Sequence, residues 1–136
     1  MKKNNQELID QFNKDGYIFF ENALSDDQLL AVNEQLAAWV EESKSHNKNF
    51  GEIMDGRPRF DLELKSHTSE TPAVRRITSP AEISDICLDV VKDNNALDLV
   101  ADIFGPNITH LGNKINLKLP SSGTEVKFHQ DFPFEP

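Results

Sequence analysis

Cysteine is nearly absent from this sequence, since Cys87 is the only one among 136 residues. A single cysteine excludes an internal disulfide, and its position on an apolar helical stripe predicts an inert core thiol. Long apolar runs are missing too, because nothing approaches the roughly 20 residues that a membrane helix needs. The opening, MKKNNQELID, lacks the apolar stretch of a secretory signal. These absences predict a cytoplasmic protein without a membrane-spanning segment.

Positive charge is scarce as well, because 14 Lys and Arg residues face 23 Asp and Glu residues and leave a net charge of −9. A surface this acidic repels phosphate groups, so neither nucleic acid nor an anionic membrane is an expected partner. The excess lies in residues 1–109, whereas residues 110–136 carry three lysines and three acidic residues. The most distinctive side chains also lie in this neutral C-terminal section.

The composition still allows a packed core. Leu, Ile, Val and Phe together supply 38 of the 136 residues, which is above the content expected of a disordered chain. The length fits a single domain over residues 1–136, mainly helical over 1–109 and with strands over 110–136. Helices followed by strands favour an α+β fold.

Local signals predict four helices in the first 109 residues. Ser25 and Gln28 form a capping box ahead of a helix over residues 26–44. The sequence Ser79-Pro80-Ala81-Glu82 has a serine cap, a proline at the first helical position and a closing glutamate, and it predicts a helix that continues through Val91. The other two helices are expected over residues 5–14 and 95–104.

Extended segments are predicted between these helices. Their apolar patterns favour short strands. The segments are residues 17–20, 60–64 and 74–78. The rest of residues 45–72 is polar and punctuated by Gly and Pro, so it is expected to be irregular, with His46 and His67 exposed in loops.

From His110 onwards apolar residues recur at every second position instead of at helical spacing. The alternation predicts a strand from His110 to Leu119 with one apolar and one polar face. The polar face carries Lys114, Asn116 and Lys118. A turn follows, and residues 125–132 are predicted to form a second strand.

The second strand contains the sharpest chemical feature of the chain, His129 and Asp131. Residues two apart on a strand point to the same face, so an imidazole and a carboxylate would lie side by side. They can supply two of the three ligands of a 2-His-1-carboxylate triad, which holds non-haem Fe(II) and leaves positions open for reactants. The alternative from the spacing alone is an incidental pair on a surface strand.

The sequence around this pair resembles the phytanoyl-CoA dioxygenase family of Fe(II)/2-oxoglutarate oxygenases. The resemblance rests on a strand with Lys and Pro, a turn with Gly and an aromatic-His-Gln-Asp segment. These features span Asn116 to Phe134. The opening, from Phe12 to Tyr17 and on to Ser25, and the Ile103-Phe104-Gly105-Pro106 segment also fit the family.

The resemblance implies a fold, cofactors and roles for four residues. The fold would be N-terminal helices leading into the first strands of a double-stranded β-helix, or jelly-roll. His129 and Asp131 would bind Fe(II), and Lys118 and Asn116 would line the pocket for the co-substrate 2-oxoglutarate. The reaction would use O2 to hydroxylate a small-molecule or acyl-type metabolite, and the intact Asp131 favours hydroxylation over halogenation.

The same resemblance implies that the barrel is incomplete in this chain. The family supplies a distal His as third ligand and an Arg that clamps 2-oxoglutarate, and neither is expected here. We therefore expect a fragment that is inactive alone, with an unknown oligomeric state. Two alternatives remain open: a non-catalytic binding or assembly module, and a simple metal-binding protein that uses His129 and Asp131 with water.

Overall fold

A computed structural model describes residues 5–120 and 127–130 of the chain. The described residues form four helices, one 3-10 turn and four strands. The helices are α1 (Asn5–Asp15), α2 (Asp26–Ser43), α3 (Asp85–Lys92) and α4 (Leu97–Phe104), and the 3-10 turn is Pro80–Glu82. The strands are β1 (Phe50–Met54), β2 (Arg57–Leu62), β3 (Val74–Thr78) and β4 (Lys114–Asn116). Among these residues, no helix is long and apolar enough to span a membrane.

The chain divides into two compact units. The first unit contains residues 1–39 and 78–114, and the second contains residues 40–77 and 115–136. The first unit holds 13 acidic and 5 basic residues, a formal charge of −8, whereas the second holds 10 acidic and 9 basic residues, a charge of −1. The acidic excess therefore belongs to the first unit, and the second is nearly neutral.

Helices of the first unit begin and end largely where local signals place them. The capping box of α2 is present, because the Gln28 N–H donates to Ser25 Oγ (3.1 Å) and the Ser25 N–H donates to Gln28 Oε1 (3.0 Å). The aromatic rings of Phe12 and Phe104 meet edge to face, with centroids 5.7 Å apart, and so join α1 to α4. The predictions for α1, α2 and α4 are thus confirmed to within two residues.

The predicted start of α3 is wrong. Ser79 adopts a left-handed conformation (φ 49°) without a side-chain cap, and its N–H donates to the Asn113 carbonyl (2.8 Å). Residues 80–82 therefore form only a 3-10 turn. The helix begins after Ser84, whose Oγ accepts from the Cys87 N–H (3.3 Å). Cys87 itself is buried in the core, as predicted.

The predicted strand over residues 17–20 is not formed. Tyr17 and Phe19 are 66% and 75% exposed, and no described strand pairs with this segment. An apolar run becomes a strand only when a neighbour takes its backbone hydrogen bonds.

The second unit is built around a hairpin whose first strand and turn lie in the region predicted to be irregular, whereas its second strand overlaps the strand predicted over residues 60–64. Strands β1 and β2 pair antiparallel and are joined by Asp55 and Gly56, with φ of 49° and 77°. Positive φ at both central residues is the signature of the two-residue Asp-Gly hairpin turn. Phe50 lies opposite Phe60, and the two rings stack with centroids 4.6 Å apart. The core of this unit includes Phe60, Leu62, Val74 and Ile77.

Gly51 is the position in this hairpin where a side chain is least tolerable. It has φ +86°, and an added Cβ would lie 3.0 Å from Phe60 Cδ2 and 3.3 Å from Arg59 Cβ. Gly56 has φ +77° but nothing within 4 Å of the same position, so it is a matched control.

We expect Gly51→Ala to lower the free energy of unfolding by roughly 2–4 kcal/mol, because it adds crowding to the backbone cost. Gly56→Ala should cost only the backbone term, about 1–2 kcal/mol. Urea denaturation measures the free energy of unfolding of both variants. Equal decreases for Gly51→Ala and Gly56→Ala would contradict the crowding at Gly51.

The four strands form one open antiparallel sheet in the order β1-β2-β3-β4. Only Lys114–Asn116 of the predicted ten-residue strand is regular, yet exposure alternates from Asn113 to Leu119, with odd-numbered residues half-buried and even-numbered ones exposed. The α+β class is thus confirmed, and the sheet is consistent with part of a jelly-roll. Three of its strands precede residue 110, where the main β region was expected to begin.

Candidate metal centre

His129 lies in a short exposed segment, residues 127–130, that has no regular secondary structure. Its Nδ1 is 2.7 Å from the Lys127 carbonyl oxygen. A carbonyl oxygen only accepts, so Nδ1 carries the hydrogen in this contact, and in a neutral ring Nε2 has the lone pair that a metal needs. Metal-binding histidines commonly fix their tautomer by this kind of bond from the other ring nitrogen.

The predicted strand over residues 125–132 is not present in the part that is described. Residues 127–130 pair with no described strand, so the two-residue period does not place His129. Asp131 lies outside the described residues. Within residues 5–120 and 127–130, no group of three or more His, Cys, Asp or Glu side chains could hold a metal ion.

Lys118 and Asn116 share the exposed face of the alternating segment that includes β4. The Leu117 N–H donates to the Arg75 carbonyl (2.8 Å), and this bond helps to hold the segment against β3. The polar face predicted for residues 110–119 therefore exists from Lys114 to Lys118. Both residues are accessible to a dissolved ligand.

Sequence reasoning missed an ionic cluster in the second unit. Asp61 Oδ2 accepts from Arg75 Nη1 (3.0 Å) and from Arg76 Nη2 (2.9 Å). Asp61 lies opposite Arg76, but Leu62 lies opposite Val74, so Arg75 is an extra residue in β3. Such a bulge brings two consecutive side chains towards one partner, whereas a regular strand would send them to opposite faces. The signal in the sequence is the Arg-Arg pair between the buried apolar residues Val74 and Ile77.

The sequence predicted that the two loop histidines, His46 and His67, would be exposed, and this prediction is wrong. Both side chains are half-buried. His67 Nδ1 accepts from the Ala73 N–H (2.9 Å), so Nε2 carries the hydrogen and donates to the His46 carbonyl (3.0 Å). The His46 ring stacks on Phe50, with centroids 3.7 Å apart. Backbone partners and an aromatic neighbour thus hold these rings, and both have structural roles in the described part of the chain.

A cavity of about 780 Å³ lies in the first unit. Residues of α1, the segment 19–22 and the connection between α3 and α4 line it. None of His129, Lys118 and Asn116 is among its lining residues, so it is not the predicted metal centre.

The chain belongs to the phytanoyl-CoA dioxygenase family, because the model of that family matches residues 12–136. The matched residues include the strands of the sheet as well as His129 and Asp131. The family resemblance carried by the His-Gln-Asp segment is thereby confirmed. No solved structure matches the chain.

A curated relative is similar over a shorter region. It is the probable alpha-ketoglutarate-dependent hypophosphite dioxygenase of Stutzerimonas stutzeri, which is 29% identical over 103 residues. The matched region is 76% of this chain and 35% of the relative. The chain therefore spans about a third of the length of this relative.

Proposed function

We propose that this chain is part of an Fe(II)/2-oxoglutarate-dependent dioxygenase that hydroxylates a small-molecule or acyl-type metabolite. The observation that carries the proposal is the fixed tautomer of His129 within a family segment that continues into Asp131. The relative whose name states alpha-ketoglutarate dependence supports the same class of reaction.

In this proposal His129 and Asp131 hold Fe(II). The bond to the Lys127 carbonyl would leave Nε2 of a neutral His129 ring as the nitrogen that binds the metal, and the Asp131 carboxylate would neutralise part of the metal charge. When bound, Fe(II) and 2-oxoglutarate supply the oxidising power that converts a C–H bond with O2 into C–OH. No residue of this chain is assigned the role of the distal His or of the clamping Arg that the family resemblance implies, so we propose that the chain alone is inactive.

The exposed face of the β4 segment is proposed to receive 2-oxoglutarate. The co-substrate is a dianion, and Lys118 supplies a cation on that face while Asn116 supplies an amide donor. The low net charge of the second unit means that little surrounding charge repels the dianion.

Metal-dependent binding of 2-oxoglutarate tests this function. We expect 2-oxoglutarate to bind the Fe(II)-loaded chain under anaerobic conditions, and Lys118→Ala to weaken that binding about tenfold through loss of one charge-assisted bond. Lys114→Ala is the matched control, because Lys114 is an exposed lysine on the same face. Isothermal titration calorimetry measures both, and equal affinities for the two variants would remove Lys118 from the pocket.

The two alternatives predict other outcomes in the same experiment. A simple metal-binding protein would bind the metal with no effect of 2-oxoglutarate. A binding or assembly module would form a stable oligomer without metal. Either result would replace the oxygenase proposal.

A further inference from the structure

The Asp61–Arg75–Arg76 cluster has more positive charge than its carboxylate balances. Two guanidinium groups share one carboxylate oxygen, so the cluster has a net charge of +1. Asp61 and Arg76 have side chains 12% and 21% exposed, whereas Arg75 is 42% exposed. The cluster is therefore fixed on its inner side and open to solvent at Arg75.

The two arginines retain hydrogen-bond donors that Asp61 does not use. A guanidinium has five N–H donors, and each arginine gives one of its bonds to Asp61 Oδ2. Arg76 Nε is buried and has no hydrogen-bond acceptor among the described residues. Because this nitrogen is buried, the donors that a dissolved anion can reach most readily are those of the more exposed Arg75.

The sheet places Asn116 next to this cluster. The Leu117 N–H bond to the Arg75 carbonyl and the Ser79 N–H bond to the Asn113 carbonyl make β3 and β4 antiparallel. In this register Asn116 of β4 lies directly opposite Arg76 of β3. Asp61 of β2 also lies opposite Arg76, from the neighbouring strand on the other edge of β3, so all three side chains are on the same face of the sheet. Asp61, Arg76 and Asn116 thus lie along one row of the sheet, and the guanidinium of Arg75 meets that row at Asp61.

We propose that Arg75 and Arg76, held by Asp61, bind the negatively charged group of the primary substrate. The ligand class is a small oxyanion group, such as a carboxylate or a phosphate, which matches the planar fork of a guanidinium. Asp61 fixes the guanidinium groups before the ligand arrives, which lowers the ordering cost of binding. The anion site is independent of any metal, whereas its role for substrate rests on the proposed function.

Phosphate titration of the metal-free chain at low ionic strength tests the site. We expect saturable shifts of the backbone amide NMR signals of residues 61, 75, 76 and 116. Arg75→Gln should weaken phosphate binding at least about tenfold. Its half-exposed ion pair contributes little to stability, so the melting temperature should change by only a few degrees.

Two variants serve as controls. Arg57→Gln removes an exposed arginine of β2 that lies outside the cluster, and it should leave phosphate affinity within about twofold. Arg75→Lys keeps the charge but not the fork, so it should restore part of the lost affinity. Absence of saturable binding, or equal affinities for Arg75→Gln and Arg57→Gln, would overturn the site.

A third titration separates substrate from co-substrate. Acetate or phosphate should continue to bind at the cluster after metal and 2-oxoglutarate have been added to the chain. Displacement of phosphate by 2-oxoglutarate at a concentration about tenfold or more below that needed with succinate, a dicarboxylate of the same charge, would assign the cluster to the co-substrate and overturn the substrate role. Because phosphate binding is measured without metal, loss of the proposed oxygenase function would leave this result unchanged.

Discussion

Replacing His129 by alanine is expected to weaken Fe(II) binding roughly 100-fold or more. The variant removes an entire ligand, and loss of an outer partner of a ligand alone costs about 10–100-fold. Anaerobic Fe(II) titration followed by calorimetry measures the change. His110→Ala is a suitable control because His110 is an exposed histidine that is not in the proposed ligand set.

Similar Fe(II) affinities for the His129 and His110 variants would show that the metal binds elsewhere. Asp131→Gly tests the same site through its second proposed ligand. It removes the carboxylate of the proposed triad, so it should weaken Fe(II) binding about as strongly as His129→Ala does. An Fe(II) affinity unchanged from that of the native chain would remove Asp131 from the ligand set.

Replacing Ile77 by alanine is expected to lower the free energy of unfolding by about 2–5 kcal/mol. Ile77 lies in β3 opposite Phe60 and is fully buried, so its truncation leaves a cavity in the core of the second unit. A loss of this size is a large part of the stability of a small domain. Urea denaturation with a tryptophan or circular-dichroism signal measures it.

Ile53→Ala provides the comparison for that result. Ile53 lies in β1 of the same sheet but is 63% exposed, so its replacement should change stability by no more than about 0.5 kcal/mol. If Ile77→Ala and Ile53→Ala lowered the free energy of unfolding equally, the core of the second unit would not be centred on Ile77 as the structure shows.

Helices were predictable from the sequence wherever the deciding contacts are local. The capping box of α2 joins residues three apart, and Gly105 ends α4 with a positive φ of 95°. The same reasoning failed at Ser79, because its N–H bonds to Asn113, a residue distant in sequence. A tertiary backbone bond thus outweighed a local capping signal.

The hairpin of the second unit was missed although its turn signal is in the sequence. Asp55-Gly56 is a strong two-residue turn, but only the outer residues of β1, Phe50 and Met54, are partly buried. Without regular alternation, β1 is hard to distinguish from a loop. The bulge at Arg75 was beyond prediction, because it depends on how β3 pairs with β2.

The candidate site was predictable in part. The exposed face with Asn116 and Lys118 follows from an alternating pattern, and the structure confirms that alternation. The placement of His129 was inferred from a strand that the described residues do not form. The orientation of the His129 ring comes from a hydrogen bond to the Lys127 carbonyl, and no sequence pattern predicts such a bond.

Paramagnetic NMR with Mn(II) as a redox-inert substitute for Fe(II) tests the central claim most directly. The account predicts that Mn(II) broadens first the signals of His129 and Asp131, and that 2-oxoglutarate then strengthens the broadening and extends it to Lys118. Broadening centred on acidic residues of the first unit, where the charge is −8, would contradict it. That result would mean that negative charge alone attracts the cation and that His129 and Asp131 form no metal site.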